Sequence, residues 1–240
     1  MQKIIHRADS RGSADHGWLK SHHTFSFAQY YNEDRIHFGA LRVFNDDIVA
    51  GGMGFGAHPH DNMEIISVVL KGALEHKDNL GTHGIINAND VQIMSAGTGV
   101  VHSEFNASKT EAAEFLQIWL FPRERNLPPR YDQKTFDPVL QHNQLQTLIS
   151  PNESDGALTI NQDAWFSIGN FDAGKELVYT PRVAYNGAYI FVLEGSIEIE
   201  GETLQRRDAI GISSYSAASI KATEAAKFLI IDIPLTQFTH

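Results

Sequence analysis

His58-Pro59-His60 and, further along, His102-Ser103-Glu104 are the two short stretches on which the reading of this sequence turns. In an extended strand successive side chains point to opposite faces, so residues two apart share a face and sit about 7 Å apart along it. Each stretch is therefore a two-pronged donor. Three imidazoles and one carboxylate, carried on two strands that face each other inside a small barrel, make a set suited to a divalent transition metal.

The flanking residues extend the pattern. Around the first pair the sequence runs Gly52-x5-His58-x-His60-x3-Glu64-x7-Gly72, and around the second Gly99-x2-His102-x3-Asn106. This resembles the two-motif signature of a cupin, with two departures. The usual first motif places its glutamate one residue later, where this chain has Ile65, and the usual proline of the second motif is Gly97.

A narrower resemblance comes from three further stretches: His16-Gly17-Trp18-Leu19, His23-Thr24-Phe25-Ser26-Phe27-Ala28-Gln29-Tyr30-Tyr31 and Leu41-Arg42-Val43-Phe44-Asn45-Asp46-Asp47. With Gly54-Phe55-Gly56-Ala57-His58-Pro59-His60 and Met94-Ser95-Ala96-Gly97-Thr98-Gly99-Val100-Val101-His102-Ser103-Glu104, they are similar to the pirin family over essentially the whole chain. The resemblance implies an all-β bicupin, two jelly-roll barrels in tandem, with one metal held at the positions of His58, His60, His102 and Glu104. It also implies quercetin 2,3-dioxygenase activity, as in bacterial members, or the iron-dependent transcription co-regulation described for the animal protein.

Composition bounds the problem independently. At 240 residues, with 42% hydrophobic and 20% charged residues, this is an ordinary globular chain of one large or two small domains. The balance of 19 Lys and Arg against 29 Asp and Glu, a net charge of -10 with no basic run, disfavours direct nucleic-acid binding. There is no cysteine, which excludes disulfides, iron-sulfur clusters, thiol nucleophiles and Cys-type zinc sites. Redox chemistry must then come from a bound metal or cofactor. The opening Met1-Gln2-Lys3-Ile4-Ile5-His6-Arg7 lacks the apolar core of a signal peptide, and no apolar run approaches the roughly 18 residues of a membrane span, so a cytoplasmic location is expected.

Along the chain, Ile65-Ile66-Ser67-Val68-Val69-Leu70, Val91-Gln92-Ile93-Met94 and Phe115-Leu116-Gln117-Ile118-Trp119-Leu120 read as strands between turn residues. From Pro122 the texture becomes Pro-rich and polar, which predicts a metal-binding domain over 1–125, a linker over 126–155 and a second domain over 156–240. An internal repeat supports the division: Val69-Leu70-Lys71-Gly72-Ala73-Leu74-Glu75 is echoed by Val192-Leu193-Glu194-Gly195-Ser196-Ile197-Glu198. In register, the positions of His58 and His60 fall on Pro181 and Val183, and those of His102 and Glu104 on Ile220 and Ala222. The second copy is thus a degenerate cupin without ligands, expected to cover one face of the first.

Of the remaining residues, Glu64 shares parity with His58 and His60. It reads either as a second-layer acceptor for an imidazole N–H or as a solvated strand residue. Asn106 reads as a turn former, and the other histidines, among them His16, His22, His23 and His76, as non-ligands, with the amino-terminal group able to line the site entrance. Trp18, Phe25, Phe27, Phe44, Phe55, Trp119 and Phe121 read as core aromatics, some walling a pocket for a flat aromatic substrate. A three-His, one-Glu set leaves open positions on an octahedral ion, favouring Fe(II) first, with Ni, Co, Mn, Zn or Cu as other occupants. The expected reaction is flavonol cleavage by dioxygen with Glu104 as base. The opposing expectation is a non-catalytic iron redox sensor acting through a protein partner.

Overall fold

The structure, a computed structural model, describes residues 1–235. It is built almost entirely of strands, in two similar halves. In the first, a seven-stranded antiparallel sheet runs in the order Arg130–Thr135, Asp90–Ser95, Glu64–Lys71, Ala113–Leu120, Leu41–Val49, Leu19–His23 and Gly12–Asp15. A four-stranded sheet in the order Gly54–His60, Val100–Asn106, Ala73–Asp78 and His83–Asn87 faces it. The second half repeats the scheme with another seven-stranded and another four-stranded sheet. The strands expected around Ile65, Val91 and Phe115 lie within Glu64–Lys71, Asp90–Ser95 and Ala113–Leu120.

Alternation within these strands assigns their two faces. On Leu41–Val49, Phe44 and, past a register shift that skips Arg42, Leu41 enter a core shared by both halves, where they join Ile66, Leu116 and Ile118 from the first half and Phe166, Tyr189 and Leu229 from the second. Both seven-stranded sheets therefore bury one face against each other, as the repeat predicted, and their other faces look into their own barrels. The barrel of the second half is filled by an apolar cluster that includes Ile220 and Ala222. The ladders set the equivalence two residues from the expected register: Ile197 lies opposite Ala222 as Leu74 lies opposite Asn106, so His102 and Glu104 correspond to Ala218 and Ile220, each 1% exposed, and not to Ile220 and Ala222. Tyr179 lies opposite Ala218 as His58 lies opposite His102, so Tyr179 and Pro181 stand at the positions of His58 and His60, while Val183, expected at His60, falls outside any strand.

The halves are tied together at both ends. Gln2–His6 pairs not with its own half but with Ala209–Ser213 of the other, from Gln2 opposite Ser213 to His6 opposite Ala209. The stretch 126–155, expected as a linker, also contributes to both sheets: Arg130–Thr135 pairs with Asp90–Ser95, and Leu145–Ser150 with Trp165–Phe171. The expected second domain, 156–240, ends in five positions that lie outside the described residues. Gly97, in place of the usual motif proline, has φ +50°, and a Cβ there would lie 2.0 Å from the Leu127 carbonyl, so the site demands glycine.

Candidate metal centre

His58 and His60 project from Gly54–His60, and His102 and Glu104 from the neighbouring Val100–Asn106, with His102 directly opposite His58. The two strands press together closely: a Cβ at Gly54 would lie 2.4 Å from the Glu104 carbonyl oxygen. The three imidazoles converge, with ring centroids 4.5 Å apart for His58 and His102, 4.8 Å for His58 and His60, and 5.0 Å for His60 and His102. Ligand atoms of all three lie within 4.8 Å of one another. His102 belongs to a second such set with His76 and Glu104, which places the carboxylate beside the histidine cluster.

Hydrogen bonds orient two of the three rings, His58 and His102. His58 Nδ1 donates to the Gly56 carbonyl at 2.8 Å, leaving Nε2 as its free lone pair. His60 Nε2 and His102 Nε2 are buried and, among the described residues, without a hydrogen-bond partner. Burial, reinforced by the neighbouring His58, holds His60 down to about 4 and His102 down to about 3, so both are neutral at physiological pH. Neutral imidazoles with orphaned lone pairs next to a carboxylate fit a single divalent transition metal.

Glu104 is 2% exposed, and burial raises its proton affinity, while nearby His76 and the hydrogen bonds it accepts act in the opposite sense. Ser67 donates to Oε1 at 3.1 Å and Gln117 to Oε2 at 2.8 Å. Both come from the floor of the facing sheet, where they are directly paired. His76 is the histidine that sequence reasoning set aside. It is fully buried, its Nε2 lies 3.0 Å from Asp78 Oδ2, and its Nδ1 lies 3.5 Å from His102 Nδ1. Burial opposes ionisation of Asp78, but the hydrogen bonds from His76, Thr82 and Leu80 outweigh it and hold the carboxyl below its usual range. An ionised Asp78 takes the His76 Nε2–H, His76 Nδ1 accepts from His102, and His102 Nε2 is left to coordinate.

Glu64 takes neither role expected of it. Its carboxylate, 1% exposed, accepts from Ser95 Oγ at 2.9 Å and from the backbone and side-chain nitrogens of Asn161 at 3.2 and 3.3 Å. The parity argument fails because Gly54–His60 and Glu64–Lys71 are separate strands, and the intervening turn, with Asn62 at φ +46°, resets the facing. Glu64 consequently looks towards the second half. Asn106 bonds the Val49 and Glu111 carbonyls and the Ser108 amide, holding a turn as expected.

A cavity of about 860 Å³ opens above the cluster, lined by His58, His60 and Glu104 and walled by Trp18, Phe27, Phe55 and Trp119. Trp119 stands edge-on to His60, with centroids 4.8 Å apart at 80°. Phe25 and Phe44 lie instead in the shared core. His16 and His23 line the same cavity, in keeping with the suggested place of the amino-terminal histidines. Ser67, Gln117, Asn45 and Asp47 also belong to this interior and were missed from sequence. The available signal was a polar residue set inside an otherwise apolar run, Ser67 within Glu64–Lys71 and Gln117 within Ala113–Leu120, and the Asn45-Asp46-Asp47 run within Leu41–Val49.

A double barrel with one histidine-rich centre and one aliphatic-filled copy defines a metal-binding bicupin. The first half matches the family model described as Pirin over residues 5–120, and the second matches the Quercetinase C-terminal cupin domain over 147–233. The chain belongs to the pirin family. It is 42% identical over 234 residues to the quercetin 2,3-dioxygenase of Escherichia coli K12, covering 96% of this chain and 98% of that one. It is 40% identical to a pirin-like protein of Caulobacter vibrioides, covering 93% and 96%. Among solved structures it resembles bacterial pirin YhhW from Escherichia coli in complex with nickel(II), with a TM-score of 0.93 at 39% identity over 98% and 100% of the two chains.

Proposed function

We propose that this chain is a metal-dependent dioxygenase that opens the ring of flavonols, holding one metal through His58, His60, His102 and Glu104. The observation that carries the reading is the convergence of two orphaned, buried imidazole nitrogens, a third free one on His58 and the Glu104 carboxylate at the base of an aromatic-walled cavity. Fe(II) is the proposed native occupant, since an open three-His, one-carboxylate set suits an ion with positions to spare. Bound there, the metal supplies a Lewis acid and a template for substrate and dioxygen.

The protein's own part is positioning and proton transfer. Glu104, a buried carboxylate on the cavity wall beside the three imidazoles, takes the proton of the substrate's enol hydroxyl. Ser67 and Gln117 fix its orientation, so the carboxylate receives the proton without first reorganising. Trp119 and Phe27, centroids 5.4 Å apart at 86°, close one side of the cavity against water. The test is to load apoprotein anaerobically with Fe(II), add a flavonol and oxygen, and follow oxygen uptake together with ring-opened product. A loaded protein that does neither with any flavonol defeats the reading, and an iron redox change that alters binding of a protein partner then favours the sensor.

A further inference from the structure

The register of the seven-stranded sheet sets a row of polar side chains across its barrel-facing side. His23 lies opposite Asn45, Asn45 opposite Gln117, and Gln117 opposite Ser67. Directly opposed residues of antiparallel strands share a face, so the row is continuous. Its inner end, Ser67 and Gln117, holds Glu104. Its outer end, His23 and Asn45, together with the next opposed pair, Ser21 and Asp47, is not used by the chemistry above.

All four residues of that outer end line the cavity, and each is at most 4% exposed. Among the described residues, His23 Nδ1 and Asn45 Oδ1 have no hydrogen-bond partner. The Asp47 carboxyl accepts from Ser21, and the charges that reach it are those of Asp46 and Glu104, both of its own sign. Leaving such groups buried and unpaired is costly, so the cavity is built for a ligand that completes them. The unpartnered atoms are the Asn45 amide oxygen, an acceptor, and His23 Nδ1, which accepts or donates with the tautomer on a ring whose protonation burial disfavours; the Asp47 carboxyl lies beside them. A ligand with hydroxyl donors satisfies them, whereas the surrounding acidic groups repel a carboxylate or phosphate. Burial also lifts the Asp47 carboxyl to about 7, so near neutrality it offers a donor as well. Phe27 and Tyr30 pack on the His23 ring, with centroids 5.3 and 6.4 Å away, and give this end aromatic walls. Two strand spacings separate His23 from Gln117, about 10 Å, which suits a multi-ring planar molecule lying along the row.

We infer that Ser21, His23, Asn45 and Asp47 form a second recognition centre, at the far end of the polar row from Glu104, which binds the hydroxyl groups of a phenolic ring. The inference deepens the dioxygenase reading and rests on it for the other end of the substrate, which is then a polyhydroxylated aromatic held at both ends.

The experiment uses metal-free protein, so that phenols cannot report through the metal. Binding of 4-methylcatechol is compared by calorimetry with that of 1,2-dimethoxy-4-methylbenzene, the same ring with both hydroxyl protons capped. The wild type is expected to prefer the catechol at least tenfold, and Asn45→Leu and Asp47→Leu, each checked for folding by circular dichroism, to cut the preference below threefold. Equal binding of the two compounds, or an unchanged preference in a folded variant, overturns the inference. A crystal structure of the wild-type complex provides a second measure: catechol oxygens within hydrogen-bond distance of Asn45 and Asp47 support it, and any other placement refutes it. Flavonol turnover by the metal-loaded wild type is scored separately. Selective catechol binding without ring opening refutes the dioxygenase and keeps the subsite, while ring opening without catechol preference refutes the subsite alone.

Discussion

His76 and His102 meet Nδ1 to Nδ1 at 3.5 Å, and Asp78 lies 3.0 Å behind His76, so the orientation of one imidazole at the metal centre is set by a buried pair that need not touch the ion. Partners of this kind are typically worth about 10–100-fold in metal affinity. His76→Ala and Asp78→Asn are therefore expected to loosen the metal by about that factor in chelator competition, while saturating metal still gives one ion per chain. Wild-type affinity in both variants would show the network to be idle. Loss of the ion at saturation in His76→Ala would make His76 a ligand.

The aliphatic filling of the second barrel leads to a stoichiometry. One tight metal per chain is expected by elemental analysis, abolished by His60→Ala and retained by Tyr185→Ala, whose side chain is 94% exposed in the second half. Two equivalent ions per chain would contradict the single-centre assignment.

Glu104→Gln preserves shape and a donor oxygen but removes the ability to take a proton at neutral pH. Metal content is expected to survive, and turnover of flavonols to fall by about 10²-fold or more, with flavonol binding weakened much less. Flavones lacking the 3-hydroxyl group should not react even with the wild type. Equal losses in binding and turnover would assign Glu104 to holding rather than to proton transfer.

Glu64→Ala leaves the Ser95 hydroxyl and two Asn161 nitrogens without their acceptor. A loss of about 1–3 kcal/mol in denaturant unfolding is expected, with metal stoichiometry unchanged. Loss of the metal instead would return Glu64 to the centre.

The pH dependence of stability carries a signature of Asp47. Its native pKa, raised by burial to about 7, lies above the unfolded-chain value near 3.8, so the native state binds the extra proton between those limits. Stability from this group is complete below the lower value and is lost as pH rises through the window, at about 1.4 kcal/mol per pH unit. In metal-free protein, Asp47→Asn should therefore gain on the wild type as pH rises from 5 to 7, measured by urea unfolding, and stay level above that. A constant difference across the range would show that Asp47 ionises normally.

The fold and the strands that carry the histidine cluster were legible because their signals are local. His58 and His60, and likewise His102 and Glu104, are two apart in sequence, and Gly72 and Gly195 mark matching turns at φ +74° and +75°. What escaped depends on which strands become neighbours. The opposition of Asn45 to Gln117, or of His23 to Asn45, spans strands that no short window of sequence joins. Glu64 shows the complementary error, since alternation was carried across a turn that ends one strand and begins another. His76 and Asp78 were readable as a same-face pair, but only the pairing of Ala73–Asp78 with Val100–Asn106 sets them behind His102.

The pairing of Gln2–His6 with Ala209–Ser213 bears on how the molecule is made. Lys3 bonds the Glu200 carbonyl 197 positions away, so Gln2–His6 finds its partner only after roughly two hundred further residues have been made. Until then its ladder edge is open and exposed to wrong pairings. The metal-bearing barrel draws its strands from Gly12 to Thr135 and can close much earlier. Gln2–His6 thus acts as a late clasp, joining the two halves only after the first barrel has had its strands to hand.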